Sequence, residues 1–100
     1  TALKELEKLQ QARATRAQRD GLDRALVDLV AFYRDVLAVQ LGADVEPVNA
    51  AEAAAVREIA ADSTPETTLR RIEAVLACRT ALETNAAPLL AVEAMTLALR

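Results

Sequence analysis

The residues best suited to chemistry in this chain flank one short stretch, "CRTALETNAAPLLAVEA", residues 78–94. A cation, Arg79, and an anion, Glu93, stand on either side of a break at Asn85-Ala86-Ala87-Pro88. Arg79 lies three residues after Leu76, four after Val75 and three before Leu82, while Glu93 lies three after Leu90 and four before Leu97. Side chains at these spacings share one helix face, so both charges fall on apolar stripes. Helices joined by so short a link pack as antiparallel neighbours. At ~1.5 Å rise per residue, both charges stand roughly 8–9 Å from the turn, at the same level. The spacing therefore predicts an Arg79–Glu93 bridge, bidentate at the guanidinium. As a catalytic pair it is poor, because a carboxylate beside an arginine has a lowered pKa and is a weak base. Its expected role is a structural lock on the register of two helices.

The remaining reactive groups offer less. The chain has no histidine, which removes the commonest general base and the commonest metal ligand together. The single cysteine, Cys78, reads as a small apolar space-filler with no base beside it. One cysteine permits no internal disulfide, which suits a reducing cytoplasm. Arg34-Asp35 in "FYRDVL" reads as a helix-surface pair. With only Gly21 and Gly42, no glycine-rich phosphate loop can form. A small enzyme using Glu93, Asp35 or Cys78 would lack a convergent polar cluster. No catalytic residue, cofactor or metal site is expected.

The elements that must position these residues are helical. One hundred residues make one domain with room for an extra arm. The composition is 53% apolar but only 2% aromatic, and Ala and Leu dominate, as in an all-α chain. Residues 2–19 form a mostly polar helix with a thin stripe of Leu3, Leu6 and Leu9, the pattern of a connector. Leu22, Leu26, Leu29, Tyr33, Val36 and Leu37 recur at three- and four-residue steps, which predicts a helix over 22–41. Gly21 either separates these two helices or weakens one continuous rod by ~1 kcal/mol. Gly42 is a natural stop, and "GADVEPVN" follows as a loop, with Pro47 restricting Glu46.

Asn49 reads as an N-cap with Glu52 as its reciprocal partner, opening a helix over about 50–61 with Ala53, Val56, Ile59 and Ala60 on one face. Ser63, three before Glu66, and Pro65 at the first helical position open another over 65–84, with Leu69, Ile72, Val75, Leu76 and Leu82 inward. Asn85 terminates it, and Pro88 opens the last helix, to about 99. The expected architecture is an all-α bundle of four or five helices, with residues 1–20 as a connector and 21–100 as the helical domain. The chain opens at Thr1 in mid-helical pattern, which suggests a segment of a longer protein.

Net charge is −3, with +2 on residues 1–24, −1 on 25–40, −5 on 41–68 and +1 on 69–100. Arg13, Arg16, Arg19 and Arg24 raise a nucleic-acid reading, but no aromatic side chains interleave them and the balance is acidic, so no direct nucleic-acid contact is expected. No apolar run approaches the ~18 residues of a membrane span, and no signal-peptide pattern opens the chain, so a soluble cytoplasmic protein is expected.

The pattern Arg79-x-x-Leu82-x-x-Asn85-x-x-Pro88-x-Leu90-Ala91-Val92-Glu93 resembles the C-terminal signature of bacterial clamp-loader subunits. "RDGLDRALVDLVAFYRDVLAVQLG" is similar to the first collar helix of the delta-prime subunits of DNA polymerase III, and Val48-Asn49 falls where that family often has a like pair. The likeness spans about residues 13–100; Ala87 departs from it, where the family often has a second polar residue before the proline. The resemblance implies a collar domain, one of five that associate into the ring holding the clamp loader together during DNA replication. It implies delta and gamma/tau subunits as partners and no chemistry in this segment. The collar of the gamma/tau ATPase subunit is the nearest alternative, and a small helical nucleic-acid-binding domain a more distant one. A ring module buries two faces, so exposed apolar positions on helices 22–41 and 88–99 are the expected contacts, and the isolated chain is expected to self-associate through them.

Overall fold

The computed structural model describes residues 1–44, 46–47, 50–84 and 87–100. It is an all-α helical bundle: α1 Ala2–Gln40, a 3-10 turn Ala50–Glu52, α2 Ala53–Asp62, α3 Pro65–Glu83 and α4 Pro88–Ala98. No strand occurs among the described residues.

α1 runs unbroken through Gly21 for 39 residues, about 58 Å at the helical rise, and accounts for most of the molecule's 62 Å length. A helical glycine costs only ~1 kcal/mol, less than flanking helix formers supply over two turns. Residues 2–18 are exposed throughout, so Leu3, Leu6 and Leu9 have no cover; burial begins at the stripe that starts with Leu22. The helix ends in a Schellman motif: Ala43 N–H donates to Ala38 O (2.9 Å) and Gly42 N–H to Val39 O (3.1 Å). Gly42 sits at φ 66°, the left-handed position that this motif requires and glycine adopts cheaply.

The other helix ends differ in part from expectation. Asn49 lies outside the described residues, and Glu52 closes a 3-10 turn before α2 rather than completing a capping box within it. The N-cap of α3 is Thr64, not Ser63: Thr64 Oγ1 accepts from Thr67 N–H (3.2 Å), with Pro65 at the first helical position. Ser63 instead closes α2, its hydroxyl donating to Ile59 O (2.6 Å). A proline fixes the first turn, so the cap must be the residue immediately before it.

α1 is the spine. It packs against α2 on one flank and α3 on another, and α4 packs on α3. Gln40 meets Thr68, Tyr33 meets Arg71 and Asp23 meets Arg79, an order that makes α1 and α3 antiparallel. The core is small: Leu26, Tyr33 and Val36 from α1, Val56 from α2, Val75, Cys78 and Leu82 from α3, and Ala91 from α4. Two positions expected inward, Leu69 and Leu76, are 48% and 42% exposed. α3 turns Thr68 and Cys78 inward beside the expected Val75 and Leu82, leaving those two leucines on its outer side.

The accessible surface is 7104 Å², against about 5,500 Å² typical of a compact monomer of this mass. The excess comes from the projecting half of α1 and from a bundle in which helices cover one another on few sides.

Candidate functional site

Arg79 does form a bidentate bridge, but with Asp23 rather than Glu93. Its Nε donates to Asp23 Oδ1 (2.7 Å) and its Nη2 to Asp23 Oδ2 (3.2 Å). The two side chains are 33% and 49% exposed, so this clamp between α1 and α3 is not a buried pair. The Arg79 hydrogen bond and charge hold the Asp23 carboxyl below the usual carboxylate range, and Asp23 raises Arg79 in return. A carboxylate so held is a weak base.

Glu93 is exposed because α4 is rotated relative to the expected stripe. Its inner side is Ala91, Val92, Met95 and Leu99, set against Ala74, Ala77, Cys78 and Ala81 of α3. The small residues on both helices line a shallow concavity of about 180 Å³ between them, and this orientation leaves the Glu93 carboxylate exposed. Turning Glu93 inward without a partner would carry a large desolvation cost. Of the other hairpin residues, Leu82 is buried, Pro88 is half-buried at the first turn of α4, and Asn85 lies outside the described residues.

Two polar joints were not legible in the sequence patterns. Gln40, at the end of α1, donates from Nε2 to Ala60 O (3.3 Å) and Ser63 Oγ (3.1 Å), and its Oε1 accepts from the Thr68 hydroxyl (2.7 Å). One side chain thus ties α1, α2 and α3 together over the fully buried Thr68. Arg34-Asp35 is the second joint. Asp35 is only 2% exposed, so this is not a surface pair; Arg34 Nη1 donates to Asp35 Oδ1 (3.1 Å) and to Glu46 O (3.1 Å), holding the following loop to α1. Asp23 itself carried a usable signal, lying three residues before Leu26 on the stripe that continues through Val30 and Tyr33.

Cys78 is buried, and burial pushes its thiol pKa up, the opposite of what a nucleophile needs. Among the described residues, no group of three or more Asp, Glu, Cys or His side chains is placed to hold a metal ion. Among the described residues, no helix is long and apolar enough to cross a membrane.

What the molecule does present is uncovered apolar surface. α4, "PLLAVEAMTLA", carries one charge in 11 residues, yet Leu89, Leu90 and Leu97 are 75%, 65% and 59% exposed. A helix apolar on all sides is normally covered on all sides, and α4 is set against α3 on only one. Val27, Val39 and Leu41 of α1 and its C-terminal turn are exposed as well. The chain matches no protein-family model, no curated protein and no solved structure.

Proposed function

We propose that this chain is a subunit-assembly module that docks neighbouring subunits through the outer face of α4 and does no chemistry itself. The observation that carries this is α4: a helix without an apolar–polar division, with three leucines in solvent around a single carboxylate. Patches of this kind mark interaction sites. Val27 and Val39 on α1 and Leu41 at its C-cap are further exposed apolar positions, spread around the helix rather than on one face.

Within that class we propose the collar domain of a bacterial clamp-loader delta-prime subunit, working in the cytoplasm with delta and gamma/tau subunits during DNA replication. The hairpin pattern from Arg79 through Leu82, Asn85 and Pro88 to Glu93 supports this reading, as does the FYRDVL helix. The gamma/tau collar is its nearest rival. The exposed Arg13 and Arg16 lie on a helix that also exposes Glu5 and Glu7, which favours protein contact over nucleic acid.

The test is reconstitution of this chain with delta and gamma/tau, followed by size exclusion with light scattering. Stoichiometric entry into one complex, lost on Leu90→Glu, is the expected result. Assembly of the partners without this chain would overturn the clamp-loader reading. Displacement of delta-prime, but not of gamma/tau, by excess chain would separate the two collars.

A further inference from the structure

A surface concavity of about 360 Å³ lies where the first turns of α3 meet the end of α4, and it is lined by Arg70, Arg71 and Arg100 with Thr67 and Glu73. We propose that it binds a phosphate-type oxyanion. The antiparallel α3–α4 hairpin creates the cluster, since it returns the last residues of α4 to the level of Arg70 and Arg71. The lining side chains, three arginines and one carboxylate, sum to +2 on a chain whose side chains sum to −3. The concavity therefore stands out against an acidic background.

The arginines are held yet unneutralised. Arg70 Nη2 donates to Thr67 Oγ1 (3.2 Å), which pins its guanidinium back along α3. The Arg71 guanidinium stacks near the Tyr33 ring of α1, 6.0 Å from its centroid, so its position is set by a core residue. Arg71 Nε is buried without an acceptor, a condition that costs free energy and is rare unless a ligand or a rearrangement relieves it. None of the three arginines makes an ion pair among the described residues, in contrast to Arg34 and Arg79. Three guanidiniums lining one concavity, with no ion pair among the described residues, suit the tetrahedral oxygens of phosphate better than a single carboxylate. The ligand is free phosphate or a phosphate monoester, which share this recognition chemistry.

The experiment is an amide-resolved NMR titration of the chain with inorganic phosphate, at ionic strength held constant with chloride. Saturable shifts confined to residues 67–74 and 98–100 are expected, with at least a tenfold loss of affinity in Arg71→Gln. Because Arg71 also packs on Tyr33, the Arg70→Gln/Arg100→Gln double variant is the second probe; it removes exposed arginines and should lose a similar factor with an unchanged far-UV spectrum. Phenyl phosphate binding more tightly than inorganic phosphate would assign a monoester, and the reverse order the free ion. Non-saturating shifts spread over the surface, or equal affinity in the double variant, would overturn the site.

Discussion

Where α3 meets α1, each layer of the contact is closed. Val36 and Val75 are fully buried, Thr68 gives its hydroxyl to Gln40, and Arg79 clamps Asp23. On the outer side of α4, Leu89, Leu90 and Leu97 stand in solvent around Glu93. Both regions are written in alanine and leucine with one charge on the stripe. They differ in their polar complement: the closed region supplies a partner for its charge, and the outer face of α4 supplies no ion-pair partner among the described residues. Apolar periodicity says which stripe calls for cover, while the polar groups along it decide which neighbour provides it.

The largest effect should come from deleting closed packing. Leu82→Ala is expected to cost about 2–5 kcal/mol, as buried leucine truncations do, whereas Leu90→Ala should stay within about 0.5 kcal/mol. Urea unfolding of both variants at several protein concentrations makes the comparison. If Leu90→Ala matched Leu82→Ala, with midpoints that rise with concentration, the outer face of α4 would already be covered by a second copy.

Thr68→Val sharpens the same contrast for polar groups. It keeps the volume but leaves Gln40 Oε1 without its donor, at a cost of about 1–3 kcal/mol. Thr80→Val is the control, because that hydroxyl is exposed and bonds Leu76 O of its own helix; it should change stability by less than about 0.5 kcal/mol. Equal costs would mean that the Gln40 joint does not form in solution.

The sequence carried the helices well, for a physical reason. Periodic apolar residues, Gly42 and Pro65 act locally, and local chemistry is visible one residue at a time. It placed Leu26, Tyr33, Val36, Val56, Val75 and Leu82 in the core correctly. Helix rotation was much less legible. The Leu90-Glu93-Leu97 and Leu69-Leu76 stripes have core spacing, yet α4 turns Ala91, Val92 and Met95 to the core and α3 turns Thr68, Val75, Cys78 and Leu82, which leaves both stripes outside. Gln40 was invisible because its three partners lie 20 to 28 residues away. Arg79 illustrates the limit: its stripe calls for a charged partner, but the side chain stands one-third exposed and the partner depended on which helix that stripe faced.

The two glycines test where the closed region ends. Gly42→Ala forces an alanine into the left-handed region and should cost about 1–2 kcal/mol. Gly21→Ala adds a methyl that meets nothing within 4 Å inside a continuous helix and should raise stability by up to about 1 kcal/mol. Thermal unfolding followed by far-UV circular dichroism measures both. No gain at Gly21 would show that the exposed half of α1 unwinds independently of the bundle.

The smallest effect is the most specific, because it asks which carboxylate Arg79 holds. Asp23 is held below its usual pKa, so the folded chain binds that proton less readily than the unfolded chain does. Its contribution is then fully present above about pH 4 and fades as pH falls through the lowered value. Asp23→Asn should lower stability by a constant amount from about pH 5 to 8, and the difference from the parent should close in stronger acid. Both partners are partly exposed, so added salt should shrink the difference as well. Glu93→Gln, at an exposed position of α4, should change stability by less than about 0.5 kcal/mol. An acid-dependent loss in Glu93→Gln and none in Asp23→Asn would mean that Arg79 spans the α3–α4 hairpin after all. The closed side of the molecule would then be α4, and the exposed leucines would have to be sought on α1.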